Sequence, residues 1–244
     1  MMINTYVRHS PSSLNLFAAQ PSMFVLERVL GVRQPVGAPA HRGTAVEHGV
    51  TIGLQDPAAT IDLCVESATQ KFDTLSALSG DPRRSDYRAT IPAMVEMALK
   101  ELRPYGIPSG TQGFIEWKPD GLMLPIVGYY DFEWADHGII VDLKTTERMP
   151  SSVKIGHARQ VALYASDNAD ARLSYVTPKK ATTYRLENKR EHREALRQVA
   201  LRVEQFLAQS DDPQFFLDIT APDLESFYWT PPAARQLAFD HWRI

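Results

Sequence analysis

Three charged residues near the middle of the chain have the types and the spacing of a catalytic cluster. Asp131 lies inside one apolar run, and Asp142 and Lys144 stand two residues apart at the end of the next. Side chains two apart on a β-strand point to the same face, so Asp142 and Lys144 should project together. If the two runs pair as strands around the turn at 136–138, Asp131 comes alongside them. Two carboxylates and an ammonium group would then converge at one end of a sheet.

This combination suits the hydrolysis of a phosphodiester. Carboxylate oxygens are good ligands for hard cations such as Mg²⁺ and Mn²⁺, and such a cation polarises the phosphoryl oxygen and activates water. A neighbouring lysine can orient that water and offset charge in the transition state. The pattern of Asp142 and Lys144 is weak by itself, because a salt bridge at the end of a strand produces it too. The surrounding residues have to decide between the two interpretations.

Apolar periodicity and turn residues place the cluster in an α/β fold. Strand-like runs are found at 114–117, 122–134, 139–143, 172–177 and 181–186. Helices are predicted from near Thr44, over 61–75, over 91–102, over 153–166, and around Leu196 to Leu207. The residues therefore predict one domain over 1–244. Its parts are a mainly helical segment over 1–108, a sheet core over 109–187, and a C-terminal helix and tail over 188–244.

The composition is that of an ordinary globular protein with a slight acidic excess. Hydrophobic residues make up 44% of the chain, charged residues 23%, and the net charge is -3. The single cysteine, Cys64, excludes an intrachain disulfide and a four-cysteine iron–sulfur cluster. No apolar run approaches the roughly 20 residues of a membrane span, and the N-terminus has no apolar segment of a secretory signal. We therefore expect a cytoplasmic protein without a membrane partner.

A negative net charge means that any surface for nucleic acid must be local. The one dense basic region runs from Lys179 to Arg202. We predict that phosphates are contacted by the turn with Lys179 and Lys180, or by a helix face with Arg193 and Arg197. A solvated helix face is the alternative, and it is the favoured interpretation of such a run taken alone.

The residues around the cluster resemble the RecB-like branch of the PD-(D/E)XK nucleases, which includes phage exonucleases. That branch carries G-x-x-D, a turn, V-D-x-K-T, and then Q-x-x-x-Y on the next helix. This chain has matching residues at 128–131, 141–145 and 160–164, in the same order. The resemblance covers roughly residues 10–164. It implies a restriction-endonuclease-like αβββαβ core with a mixed sheet flanked by helices. The implied catalytic set is Asp131, Asp142, Lys144, Gln160 and Tyr164.

The N-terminal stretch Ser-Pro-Ser-Ser-Leu at 10–14 also looks like the start of that family. Relatives that carry an iron–sulfur cluster have a cysteine just before the proline that here is Pro21. This chain has Gln20 at that position. The resemblance therefore implies that the cluster is absent and that Mg²⁺ or Mn²⁺ is the cofactor.

Two further positions resemble metal-binding positions of the family. The family has a glycine, three residues and then a histidine; counting from Gly43, Glu47 holds that position and His48 follows it. We favour Glu47 as the ligand and keep His48 as the alternative. Glu116 precedes Asp131 by one strand, where relatives often have an acidic residue, and a surface carboxylate is an equally good interpretation. The candidate metal set is Glu47, His48, Glu116, Asp131, Asp142 and Leu143.

The resemblance implies a metal-dependent deoxyribonuclease, with an exonuclease of phage or bacterial recombination and repair as the first hypothesis. The alternatives are an endonuclease on the same core and a non-catalytic nucleic-acid-binding protein on a nuclease fold. The expected partner is DNA. A single-strand annealing or recombination protein and a second copy of this chain are further candidates. The expected location is the cytoplasm of a bacterial cell or of a phage-infected host.

Overall fold

The structure, a computed structural model, describes residues 6–165 and 169–244. It divides into two compact units. The first contains the chain up to Pro35, Glu116–Gly128 and Glu191–Ile244, and the second contains Val36–Ile115 and Tyr129–Arg190. Within the described residues, no helix is both long enough and apolar enough to cross a bilayer. The prediction of a single nuclease domain stays a prediction.

A mixed sheet of five strands runs through the described residues in the order β1 to β5. The strands are β1 Gly110–Trp117, β2 Ile126–Trp134, β3 Ile139–Thr145, β4 Asp170–Val176 and β5 Ala181–Arg185. β2 pairs with β3 and β4 pairs with β5 in antiparallel fashion, whereas β3 and β4 are parallel. A parallel pair needs a long crossover, and helix α6 at Ile155–Tyr164 provides it. The predicted α/β class with a mixed sheet flanked by helices is confirmed.

The turn between β2 and β3 determines which residues of these strands face each other. A short 3₁₀ turn at Ala135–His137 ends at Gly138, whose φ of 61° lies in the left-handed region that favours glycine. The resulting register pairs Phe132 with Val141. One step further along, the same register brings Asp131 beside Asp142.

Three long helices of the second unit form the layer that packs on the sheet. They are α3 Ala38–Gln55, α4 Ile61–Leu75 and α5 Arg84–Leu102. Their apolar faces bury one continuous core with the sheet, in which Phe72 and Leu99 are fully buried together with Phe132 and Val141 of the strands. Burying each such side chain stabilises the fold by roughly 1.5–3 kcal/mol. Helix α3 packs against β3, so this core fixes the position of α3 relative to the charged end of that strand.

Small residues let α3 approach its neighbours closely. A Cβ on Gly49 would lie 2.5 Å from the carbonyl oxygen of Cys64 and 2.9 Å from the Cβ of Ala68, both on α4. A Cβ on Gly53 would lie 2.8 Å from the methyl groups of Leu99 on α5. Because no side chain fits at these points, the two glycines determine how near α3 lies to α4 and α5.

The first unit contains a buried hydrogen-bond network. His9 is fully buried and its Nε2 lies 3.1 Å from Glu204 Oε1 on α7, which spans Lys189–Leu207. Glu204 also accepts hydrogen bonds from the backbone N–H groups of Met123 and Leu124. Helix α1, Pro11–Ala19, starts at a capping box in which the Ser10 side chain accepts from the N–H of the third helical residue. These contacts tie the start of the chain to α7.

The structure differs from the sequence-based expectations at several helix and strand ends. Helix α3 begins at Ala38 instead of near Thr44. Its first turn contains Pro39, and proline favours the start of a helix at this position. Strand β2 begins at Ile126 instead of residue 122, directly after Pro125, which lacks the N–H that a ladder needs. The predicted end of α6 at Ser166 lies outside the described residues.

The C-terminal segment is also more regular than expected. Helices α8, Pro213–Asp218, and α9, Pro232–Trp242, follow α7 in the region where a tail was expected. Each has a proline in its first turn, and the Asp212 side chain caps α8. Phe216 and Trp229 are fully buried there, and the Phe216 ring packs against Phe206 of α7.

The close approach of α3 and α4 predicts that Gly49→Ala destabilises the protein. The added methyl group would overlap a backbone carbonyl of α4, which cannot rotate away, so we expect a loss of about 1–3 kcal/mol in the free energy of unfolding. Urea unfolding measures this. Gly80→Ala is the matched control, because a Cβ there meets nothing within 4 Å. Equal unfolding midpoints for the two variants would contradict the packing described here.

Candidate active site

Asp142 and Lys144 lie side by side on β3, as their alternate spacing predicts. Lys144 Nζ is 2.7 Å from Asp142 Oδ2. The Asp142 carboxylate is fully buried, whereas the lysine side chain keeps 23% of its surface exposed. The preceding residues Ile140 and Val141 are buried, so the core of the sheet holds the strand that carries this ion pair.

Asp131 projects from β2 into the same cluster. It is buried, and its Oδ2 accepts a hydrogen bond of 2.6 Å from the backbone N–H of Leu143. Leu143 lies between Asp142 and Lys144, so this bond fixes the Asp131 carboxylate to the strand that carries the ion pair. The antiparallel register and the side-chain contact therefore agree on the placement of the three predicted residues.

Glu47 enters the cluster from α3, and Gln112 from β1 joins it to Asp131. The Gln112 side-chain amide donates to Glu47 Oε1 and, at 3.2 Å, to Asp131 Oδ1. Gln112 has a φ of 52°, a left-handed backbone conformation that is uncommon for residues other than glycine and is concentrated at functional sites. Sequence reasoning missed Gln112. Its place in a short strand flanked by Gly110 and Gly113 was the only signal in the sequence.

Gln160 and Tyr164 share one face of α6, as their spacing of four predicts. The Gln160 amide donates a hydrogen bond of 2.7 Å to the Tyr164 hydroxyl. Tyr164 is buried, and its phenol lies close enough to Asp142 and Lys144 to respond to their charges. Burial and the Asp142 carboxylate raise the pKa of Tyr164, so the phenol keeps its proton.

The electrostatics of the cluster are dominated by burial. Burial raises the pKa of Asp131 well above its usual range, and the charges of Asp142 and Glu47 raise it further. Burial also raises the pKa of Glu47 to about 7 and raises that of Asp142, although Lys144 opposes both shifts. Burial lowers the pKa of Lys144, but the Asp142 and Asp131 carboxylates outweigh it and the net shift is upward. Three carboxylates thus surround one ammonium group that stays charged.

The chemistry of these residues fits a divalent cation. The buried Asp142 Oδ1 accepts no hydrogen bond among the described residues, and an orphaned carboxylate oxygen of this kind calls for a cation. All the side-chain ligands available are oxygens, which hard cations prefer. In residues 6–165 and 169–244, no three acidic, histidine or cysteine side chains already stand as a closed metal-binding group. The Gln112 amide and the Lys144 ammonium group lie against the carboxylates instead.

Three further candidates from the sequence have no side-chain contact with the cluster among the described contacts. His48 follows Glu47 on α3 but is exposed, and Glu116 is exposed and belongs to the first unit. Leu143 has a buried side chain and a backbone N–H that is bonded to Asp131.

The four basic candidates divide between the two units. Lys179 and Lys180 are exposed at the turn between β4 and β5 in the second unit. Arg193 and Arg197 belong to the first unit, where the Arg193 guanidinium lies 6.0 Å from the ring centre of Trp117. Arg197 donates to both carboxylate oxygens of Glu194, so its charge is already compensated on the helix.

Comparison with known proteins decides the family. A model of the PD-(D/E)XK nuclease superfamily matches residues 8–222. The chain belongs to the PD-(D/E)XK nuclease superfamily. Membership implies a nuclease, a hydrolase that acts on nucleic acid, and nucleases of this superfamily generally use divalent metal ions such as Mg²⁺. The RecB-like branch stays a prediction.

Individual relatives add little to this assignment. No curated protein matches the chain significantly. Among solved structures, that of SSO0001 is similar over 87% of this chain and 98% of its own, at 14% identity and a TM-score of 0.35. At that score the likeness carries no argument about fold or function.

The raised pKa of Glu47 predicts how the stability of the metal-free PD-(D/E)XK protein depends on pH. A carboxyl group whose pKa rises on folding stabilises the fold below its ordinary value of 4.5 and loses that contribution as the pH approaches 7. The free energy of unfolding in EDTA should therefore fall over this interval, and Glu47→Gln should make the fall shallower. Asp131 and Asp142 contribute in the same direction, so some dependence should remain.

Urea unfolding at a series of pH values measures this effect. Glu96→Gln on the exposed face of α5 is the matched control and should keep the wild-type dependence. If Glu47→Gln and wild type follow the same curve, Glu47 is not buried among the other carboxylates as described.

Proposed function

We propose that this chain is a divalent-metal-dependent deoxyribonuclease that hydrolyses phosphodiester bonds at the cluster of Glu47, Asp131, Asp142 and Lys144. The observation that carries the proposal is the buried Asp142 carboxylate, with one oxygen on Lys144 and the other without a partner among the described residues. An isolated salt bridge at the end of a strand would not need two further carboxylates beside it, because each adds repulsion.

The residues that would hold the cation are Glu47, Asp131 and Asp142, with Glu47 preferred to His48 because only Glu47 reaches the cluster. When bound, the cation supplies Lewis-acid stabilisation of the negative charge on the phosphoryl oxygens. Lys144 keeps its proton beside Asp142 and donates hydrogen bonds toward the attacking water and the developing charge. Its stem is held by the strand, so the ammonium group is already oriented before substrate arrives.

Gln160 and Tyr164 orient groups at the edge of the cluster. The amide of Gln160 is held by the Tyr164 hydroxyl, which leaves its carbonyl oxygen free to accept a hydrogen bond from a water or a sugar hydroxyl. The phenol of Tyr164 stays protonated and can donate toward a phosphate oxygen. We assign these two residues to substrate positioning.

Within this function we favour an exonuclease of phage or bacterial recombination and repair, acting in the cytoplasm beside a single-strand annealing or recombination protein. The support is the resemblance of the G-x-x-D, V-D-x-K-T and Q-x-x-x-Y motifs to the RecB-like branch. An endonuclease on the same core is the competing hypothesis, since both activities use the same catalytic residues.

The test compares end-labelled linear DNA with closed circular DNA in Mg²⁺ or Mn²⁺. Wild type should degrade the linear substrate and leave the circle intact. Asp142→Asn and Lys144→Met should each lose activity at least about 100-fold, because each removes a charge that acts on the transition state. Asp136→Asn and Lys71→Met change exposed residues outside the cluster and should keep wild-type rates.

Each outcome bears on a different part of the proposal. Cleavage of the closed circle would favour the endonuclease. Full activity in EDTA, or in Asp142→Asn, would contradict the metal-dependent mechanism. Lys144→Met at the wild-type rate would leave that lysine with a purely structural role.

A further inference from the structure

A cavity in the second unit has the side chains of an anion-binding site. Its interpretation rests on the function proposed above. The cavity encloses about 210 Å³, and its walls include Arg42 of α3, Arg83 and Tyr87 at the start of α5, Glu147, and Pro178. None of these residues belongs to the catalytic cluster, and Arg42 directly precedes the glycine of the motif that contains Glu47 and His48.

Arg42 is the unusual member of this cavity. Only 4% of its surface is exposed, and its guanidinium carbon lies 5.0 Å from the centre of the Tyr87 ring. Its buried Nε has no hydrogen-bond partner, and no carboxylate lies within ion-pair distance of it among the described residues. Burying an arginine without satisfying it is costly. The unpartnered Nε of this buried side chain, at the wall of a cavity, therefore points to an anionic ligand.

The second arginine already holds an anion. Arg83 lies over the same ring at 4.8 Å and donates a hydrogen bond of 2.8 Å to Glu147 Oε1. Its Nε is also 4.0 Å from Asp86 Oδ2, an exposed and weaker contact. The half-exposed Glu147 carboxylate therefore binds Arg83 in the cavity where both guanidinium groups lie over one ring, and a phosphate group could take its place.

Helix α3 contributes a residue both to the cavity and to the catalytic cluster. Arg42 precedes Glu47 by five residues on α3, which is about 7.5 Å along the helix axis. A Cβ on Gly43 would lie 3.4 Å from Thr145 Oγ1, so this part of α3 contacts the chain one residue after Lys144.

The basic turn at the other wall of the cavity extends the same surface. Pro178 lines the cavity and begins the turn that carries the exposed Lys179 and Lys180. A strand held at the cavity would thus have two further cations beside its backbone. Arginine is the side chain best suited to phosphate, because its planar fork can form two parallel hydrogen bonds.

We propose that Arg42 and Arg83 form a phosphate-binding subsite for the substrate strand near the catalytic cluster, and that Glu147 is a resident carboxylate which the phosphate displaces. The same chemistry accepts an internal phosphodiester or a terminal phosphate. Binding at this subsite fixes the register of the strand on the catalytic cluster.

The test measures binding of labelled single-stranded and duplex oligonucleotides by fluorescence anisotropy, with Ca²⁺ in place of Mg²⁺. Arg42→Met should weaken binding about tenfold or more and reduce the salt slope by about 0.7 on single strands and 0.9 on duplex. Glu147→Gln should tighten binding, because the competing carboxylate charge is gone. Arg42→Lys keeps the positive charge but lacks the planar guanidinium group. Its affinity should therefore lie between those of wild type and Arg42→Met.

Arg88→Met, one turn along α5, is the matched control. Its guanidinium is bound by Asp73 on an exposed surface away from the cavity, so affinity for DNA should not change. Oligonucleotides with a 5′-phosphate, a 3′-phosphate or neither separate the two sources of phosphate. An equal loss on all three in Arg42→Met identifies an internal phosphodiester, and a loss confined to one identifies a terminal phosphate.

The subsite is contradicted if folded Arg42→Met and Glu147→Gln both bind with wild-type affinity and salt slope, or if Glu147→Gln binds more weakly. If Arg42→Met fails to fold, Glu147→Gln and Arg42→Lys decide the question alone. Wild-type cleavage in Mg²⁺ or Mn²⁺ is measured separately. If wild type cleaves DNA but the variants bind it like wild type, only the subsite is contradicted. If the variants bind differently but wild type does not cleave DNA, only the nuclease function is contradicted.

Discussion

Repulsion between two buried carboxylates and a half-buried third is the interaction on which the catalytic unit depends. Asp131, Asp142 and Glu47 are held together by elements whose positions are determined elsewhere, and burial makes their shared negative charge costly. Lys144 compensates one of them, and Gln112 donates to the other two. Protons can make up the remainder in the metal-free protein, as the raised pKa values indicate. The metal-free cluster therefore favours the binding of positive charge. A divalent cation compensates the carboxylates better than protons do.

The core of the second unit makes that arrangement rigid. The β2–β3 register places two of the carboxylates side by side, and the left-handed Gly138 fixes that register. The third carboxylate comes from α3, whose distance from its neighbours is limited by Gly49 and Gly53. None of these contacts involves the charged groups themselves. Apolar packing therefore provides the free energy that keeps the repelling carboxylates close together.

Much of this site could be predicted from the sequence, because its central residues are close along the chain. Asp142 and Lys144 are two apart on one strand, and Gln160 and Tyr164 are four apart on one helix, so local periodicity places each pair. Gln112 could not be found in this way, since its role depends on an unusual backbone conformation and on contacts with α3 and β2. The cavity at Arg42 is equally invisible, because its walls come from four separate parts of the chain. The extents of α3 and of the C-terminal helices were underestimated because prolines began helices where loops were expected.

The most direct test of the account measures protons released when a cation binds. Isothermal titration of wild type with Ca²⁺ near pH 7, in two buffers with different ionisation enthalpies, gives the number of protons that leave per cation. Net release is expected, because the cation replaces protons that burial keeps on the carboxylates. Asp131→Asn should lose most of the binding, whereas Asp136→Asn should retain it. Binding without proton release, or equally tight binding by Asp131→Asn, would contradict the account.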